Sequence, residues 1–244
     1  MLNTDAPSTR SILSYGAGVN STALMIILLD QKRPLDEVVF ADTGAERPET
    51  YQYLKTARTY LHGHNVPFQI VRSSSGSLYE TCVRRRVIPS MVWRWCTRDY
   101  KIVPIYAYYR SLHAHINQYI GLAYDEIERM KDSKAAYVTN VYPLIDQQVT
   151  RAGCVHIIEQ AGLPVPVKSG CYFCPFNSIE KWREIYRDQR SLYWKAAKLE
   201  ETSKHFPKQR LTKLTLRELT KKFRTGRKVS ETTIENPCDG FCMT

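Results

Sequence analysis

The 244-residue sequence predicts an α/β fold in three layers: a mostly parallel twisted sheet with helices on both faces, followed by a helical, cysteine-containing extension. Two observations carry this. Short apolar, β-rich runs alternate with helical patterns, and that order demands parallel strands joined by right-handed crossovers. The first two runs each end in a loop of small polar residues, placed where parallel sheets hold ligands beyond the carboxyl ends of their strands.

The first run is Ile12-Leu13-Ser14, and it enters Tyr15-Gly16-Ala17-Gly18-Val19 before a helix that opens near Asn20-Ser21-Thr22. Gly16 and Gly18 let the backbone approach an anion, Ser14, Ser21 and Thr22 add hydroxyls, and the free N–H groups of the helix start point the same way. A plain strand-to-helix turn uses the same residues. No Lys follows the second glycine, and the spacing misses the three-glycine dinucleotide fingerprint. The second run, Glu37-Val38-Val39-Phe40-Ala41, ends at Asp42-Thr43-Gly44 and leads into a helical pattern through Tyr51, Leu54, Ala57 and Leu61. Residues 14–22 and 42–49 therefore converge on one end of the sheet.

The loop over residues 14–22 resembles the pyrophosphatase loop of the adenine-nucleotide alpha-hydrolase superfamily, with Asn20 where many ATP-using members carry Asp. Phe40-Ala41-Asp42-Thr43-Gly44-Ala45-Glu46-Arg47-Pro48-Glu49-Thr50-Tyr51 resembles the second signature of the phosphoadenylylsulfate (PAPS) reductase family, a branch of that superfamily. The likeness continues in Cys96-Thr97-Arg98-Asp99-Tyr100-Lys101, in residues 121–129, in Arg151-Ala152-Gly153-Cys154 and in Lys168-Ser169-Gly170-Cys171-Tyr172-Phe173-Cys174-Pro175. It implies a nucleotide site in which Ser14, Gly16, Gly18, Asn20, Ser21 and Thr22 hold phosphates and Asp42 and Thr43 lie by the adenosine. Lys101 and Arg129 would be cationic phosphate partners. With Asp42, they are the candidate catalytic residues.

Bulk properties fit such a domain. A chain of this length with 43% hydrophobic residues buries a sizeable core, and the economical division is a nucleotide-binding part over residues 1–165 and a packed extension over 166–244. Residues 1–10 lack an apolar signal core, and the aliphatic run at 24–29 is too short to span a bilayer, so a cytoplasmic location without membrane partner is expected.

Seven cysteines in such a chain point to metal or redox chemistry. Cys171 and Cys174 form a Cys-x-x-Cys pair after a proline-rich approach, and Cys238 and Cys242 sit in a Pro/Gly-rich tail. Three readings stand: a 4Fe-4S cluster, which the resemblance favours, a four-cysteine Zn2+ site on Cys171, Cys174, Cys238 and Cys242, or exchange-active thiols. The chosen ligand set is Cys96, Cys171, Cys174 and Cys238, with Cys242 in reserve. Cys82 and Cys154 lie in apolar helical stretches and read as packed thiols.

Lys and Arg total 35 against 24 Asp and Glu, a net charge of +11. Residues 204–228 carry ten bases and one acid, Glu218, as if on a basic helix. A second group, Arg84-Arg85-Arg86 with Arg94, Arg98 and Lys101, surrounds Trp93 and Trp95, so cations alternate with rings able to stack on bases. A nucleic-acid partner, tRNA or DNA, suits both groups. A solvated helix face or a small anionic substrate accounts for the same charges. The histidines, Tyr106, Tyr108, Tyr109, Trp182 and Trp194 read as scattered or packing residues.

The PAPS reductase cysteine segment Glu-Cys-Gly is absent and no two cysteines adjoin, since the tail reads Asn236-Pro237-Cys238-Asp239-Gly240. The resemblance then implies an ATP- and Mg2+-dependent, pyrophosphate-releasing sulfurtransferase of the tRNA-thiolation or DNA-phosphorothioation type. Its sulfur would come from a donor such as a cysteine desulfurase, and the chain can pair as a homodimer. The alternatives are a reductase of adenylylsulfate or phosphoadenylylsulfate and a non-catalytic nucleotide- and nucleic-acid-binding module. All of this requires the phosphate loop and the thiols to line one shared cavity.

Overall fold

Five strands form one all-parallel sheet in the order β3-β2-β1-β4-β5, as seen in a computed structural model that describes residues 8–226. The first half alternates as the sequence predicts. β1 (Thr9–Ser14) leads to α1 (Val19–Asp30), β2 (Glu37–Asp42) to α2 (Pro48–Gly63), and β3 (Phe68–Arg72) to α3 (Leu78–Arg85). A short α4 (Trp95–Thr97) runs through a π turn (Arg98–Ile102) into α5 (Val103–Ser111), which feeds β4 (His115–Ile120). A 3-10 segment (Tyr124–Arg129), β5 (Val138–Val141), a one-turn α6 (Pro143–Asp146) and α7 (Arg151–Gln160) complete the α/β part. The extension consists of α8 (Ile179–Asp188), α9 (Arg190–Thr202) and α10 (Leu216–Arg224).

Strand periodicity divides the core. Leu13, Val38, Phe40 and Tyr119 face α1, α2 and α7, whereas Ile12, Val39, Ala41 and Ile116 face Ile105 and Tyr109 of α5. Helices therefore cover both faces, as parallel strands require. β2 is buried along its whole length, and Glu37, the charged residue at its start, accepts a hydrogen bond from the Tyr108 hydroxyl at 2.7 Å.

A third core joins the extension to the end of the α/β part. Trp182, Ile185, Tyr193, Leu216 and Leu219 pack with Leu78, Cys82, Trp95, Tyr100 and Phe173. Glu200, only 1% exposed, ties this core together by accepting from the backbone N–H groups of Leu211 and Leu216, both at 2.8 Å. Trp182 is fully buried and Trp194 and the α5 tyrosines pack, matching their assignment as packing residues.

The basic segment differs from the sequence expectation. Among its described residues Leu216–Arg224 is helical, and residues 204–214 run through turns and bends that include Pro207, whose ring and missing N–H do not fit a helix interior. Two of its bases are engaged internally: Arg210 donates to the Pro207 and Lys213 carbonyls, and Arg217 pairs with Glu201. Arg227, Lys228, Cys238 and Cys242 lie outside the described residues. No helix among the described residues is long and apolar enough to cross a membrane.

Candidate active site

The phosphate-loop candidate leaves β1 at the middle of the sheet. Ala17 takes a left-handed conformation, φ +55°, which turns the chain between Gly16 and Gly18. Ser21 then occupies the loop: its Oγ accepts from the Gly16 and Gly18 N–H groups, each at 3.3 Å, and donates to the Gly18 carbonyl at 3.1 Å. Beneath it the Tyr15 hydroxyl meets Thr22 Oγ1 at 3.0 Å, and burial pushes the Tyr15 pKa far up, so this hydroxyl stays neutral. Ser14, Ser21 and Thr22 are all buried.

Gly121, just after β4, has no space for a side chain. A Cβ there would lie 2.7 Å from Ser21 Cα and 2.8 Å from Ser21 N. β4 thus presses bare backbone against the start of α1. Sequence reasoning placed Gly121 in a block without seeing this role, because the contact spans a hundred residues of chain.

Asn20 joins two predicted groups. Its Nδ2 donates to Glu126 Oε2 at 3.0 Å, and Glu126 pairs with Arg129. The candidate cation is therefore tied to the phosphate loop through one carboxylate. Asn20 Oδ1 is buried with no hydrogen-bond partner, an acceptor left open at the head of α1.

Asp42 sits at the end of β2 and is fully engaged. Oδ1 accepts from the Gly44 N–H and the Tyr51 hydroxyl, both at 2.8 Å, and Oδ2 from Arg72 Nε at 3.0 Å and Nη2 at 2.8 Å. Burial and the Asp42 carboxylate together raise the Tyr51 pKa. Thr43 Oγ1 accepts from the Ala45 N–H at 3.2 Å and donates to Glu46 Oε1 at 3.0 Å. These bonds shape a rigid loop over residues 42–47; Arg72, which braces it, carries no signature in the sequence. Lys101 is half-buried in the π turn, which packs against β2.

The thiol loop docks on this second loop. Glu46 and Cys171 form an isolated antiparallel bridge, the Tyr172 N–H donates to the Ala45 carbonyl at 3.1 Å, and the Arg47 N–H donates to the Gly170 carbonyl at 3.3 Å. Cys171 and Cys174 face each other across one turn closed by a 3.1 Å backbone bond. The Cys171 thiol pKa is pushed well up by the Cys174 thiol, by burial, and by the charges of Glu46 and Cys96. Cys96 in α4 and Cys171 pack on the same apolar cluster, so three of the four chosen ligands share a neighbourhood. No group of three or more His, Cys, Asp or Glu among the described residues is tight enough to form a metal site. In chemical type the donors fit a thiolate-bound centre, since Cys96, Cys171 and Cys174 offer the sulfur ligands that a 4Fe-4S cluster or Zn2+ takes, while Cys238 lies outside the described residues. Cys82 and Cys154 are fully buried, with thiol pKa values pushed up to about 12 chiefly by burial, as packed thiols should be.

A cavity of about 510 Å³ opens beside the thiol loop, lined by Gly44, Glu46, Tyr51, Tyr79, Tyr172 and Lys195 among others; the expected sharing of one cavity is not met here, since no residue of the 14–22 loop is in this lining.

The phosphoadenosine phosphosulfate reductase domain matches residues 10–131, half of the chain. The chain belongs to that family. Among solved structures, the U34-tRNA thiolase NcsA from Methanococcus maripaludis with its [4Fe-4S] cluster is similar at 13% identity and a TM-score of 0.51, over 98% of this chain and 82% of that one. The PAPS reductase from Candida auris in its phosphate complex is similar at 14% identity and a TM-score of 0.48, over 68% of this chain and 78% of that one. The likeness to the thiolase extends the fold beyond the reductase-domain match into the helical extension. A comparison with curated proteins gives no match.

Proposed function

We propose that this member of the PAPS reductase domain family is an ATP-dependent sulfurtransferase acting on nucleic acid. The observation that carries the proposal is the bridge between Glu46 and Cys171, which brings the thiol loop to the sheet end from which the phosphate loop also departs. In this reading an activated adenylate and a thiol-bound centre meet at that end of the sheet.

In this reading the loop at residues 14–22 cradles the triphosphate once Ser21 Oγ releases the Gly16 and Gly18 N–H groups. An acceptor oxygen attacks the α-phosphorus and pyrophosphate leaves; sulfide then displaces AMP, which departs with that oxygen. Lys101 and Arg129 offset charge growing on the α-phosphate, Arg129 from the position that Glu126 and Asn20 give it. Bound Mg2+ would supply charge neutralisation on the phosphate oxygens. Cys96, Cys171 and Cys174, with Cys238 as the fourth, would hold a 4Fe-4S cluster or Zn2+, and a cluster would supply an iron on which sulfide can rest. Asp42 keeps the adenosine-side loop in shape through its four hydrogen bonds.

Nucleic acid as the acceptor is supported by the +11 charge and by an exposed aromatic tip among cations: Val92 is 98% and Trp93 57% exposed. Arg94 reaches from this tip to stack its guanidinium on Phe176, 5.4 Å from the ring centroid, two residues beyond Cys174. The U34-tRNA thiolase shares the fold, and its name supplies the reaction type.

The test is anaerobic incubation of the full chain with ATP, Mg2+, sulfide and bulk tRNA or DNA, following AMP and thiolated nucleotide. Formation of both supports the proposal. Absence of both, with thiol-dependent sulfite release from adenylylsulfate, assigns the chain to sulfate reduction instead.

A further inference from the structure

We infer that the cavity of about 510 Å³ beside the thiol loop is the acceptor pocket, taking one unstacked nucleotide of a single-stranded nucleic acid. The inference rests on the sulfur-transfer reading above and adds where the acceptor sits. The volume falls within the range of roughly 300–1,000 Å³ common to small-ligand sites.

Its walls suit a nucleotide. Tyr51, Tyr79 and Tyr172 supply rings, Lys55 on α2 and Lys195 on α9 supply exposed cations, and Gln52 offers an amide to a base edge. Tyr79 and Tyr172 are already paired at 6.2 Å between centroids, and the Tyr51 hydroxyl is anchored on Asp42, so the rings stand pre-set. Both carboxylates in the lining are engaged: Glu46 accepts from Thr43 and Glu80 from the Ser77 N–H at 2.9 Å. Lining residue Glu46 is also the bridge partner of Cys171, which puts the pocket wall and the thiol loop on one segment.

A route for the strand follows from α3. The helix starts at the cavity with Tyr79 and Glu80 and ends, about 12 Å on, at Arg84, Arg85 and its cap Arg86. The exposed Trp93 tip belongs to the same region, since its ring lies 6.4 Å from that of Trp95, which shares a core with Leu78 and Cys82 of α3. Cations and a stacking ring thus lead toward the cavity, the pattern of a single-strand track. A base paired in a duplex could not enter without leaving its stack.

The test uses the full chain and short single-stranded RNA carrying a photoreactive thiouridine at successive positions, with peptide mapping of the cross-links. Cross-links on Tyr79 or Tyr172, and an affinity about tenfold weaker in Lys195→Glu, as expected for loss of a phosphate contact, are the supporting results. Lys195 is exposed on its helix, so this variant folds. Tight binding with cross-links confined to Trp93 or α10, or unchanged affinity in Lys195→Glu, overturns the pocket while nucleic-acid recognition survives. Failure to bind this RNA, and equally bulk tRNA and single-stranded DNA in a parallel binding assay, overturns the pocket and the sulfur-transfer reading together.

Discussion

Cys171 and Glu46 are joined backbone to backbone in an antiparallel bridge, although 125 positions separate them and neither lies in a regular strand. The bridge attaches a thiol loop to the loop that Asp42 organises, so damage to the thiol itself should be separable from damage to the sheet. In Cys171→Ser the backbone bridge persists while the thiolate is lost. Anaerobically purified wild type should show a broad visible absorbance, or stoichiometric zinc if the centre is Zn2+. The variant should lose that signal and keep ATP binding by calorimetry. Loss of both would mean that the metal holds the fold.

Gly121→Ala should disturb the phosphate loop from the far side. The new Cβ would press on Ser21 backbone atoms at 2.7 and 2.8 Å, and backbone cannot swing aside as a flexible side chain can. Overpacking of this kind costs about 1–3 kcal/mol. Urea denaturation should show that loss, and ATP affinity should fall by about tenfold or more as the N–H groups at the head of α1 are displaced.

Lys101→Ala should spare stability and cost turnover. Lys101 is half-buried on the π turn beside β2. If it balances charge developing at the α-phosphate, pyrophosphate release should drop by about a hundredfold with a much smaller change in ATP affinity. Equal losses in both would assign it to ground-state binding alone.

Glu200→Ala should destabilise the extension. Two buried N–H groups, of Leu211 and Leu216, would lose their acceptor, at a cost of about 2–4 kcal/mol together. Burial also raises the Glu200 pKa above its unfolded value. The folded chain therefore holds that proton more tightly, and this contribution is fully present below the ordinary glutamate pKa and fades as the pH climbs through the raised value. Chemical denaturation across that window, wild type against Glu200→Gln, should show the slope in the wild type only.

The sheet and its two helical layers were legible because apolar alternation and loop chemistry are local signals. Ile12 and Leu13 already announce opposite faces, and Asp42-Thr43-Gly44 announces a strand end. The braces of the site were not legible. Arg72 on Asp42, Glu126 on Asn20 and Gly121 on Ser21 are long-range pairings, each written as a single ordinary residue. The basic segment was only partly legible: Pro207 stands outside a helix, and the exposed Arg210 and Arg217 are engaged by neighbouring carbonyls and by Glu201, pairings that a run of bases does not announce.

The strand order has a consequence of its own. β1 lies at the centre, with β4 and β5 added on one side and β2 and β3 on the other. Gly121 and Asn20 crowd the first flank, whereas Glu46, Cys171 and the cavity occupy the second. Such a layout is modular: if the proposed function holds, residues on the outer second flank can drift toward a new acceptor while the central turn stays untouched, and chimeras that exchange α3 and α9 between relatives should change the acceptor bound and leave ATP affinity as it was.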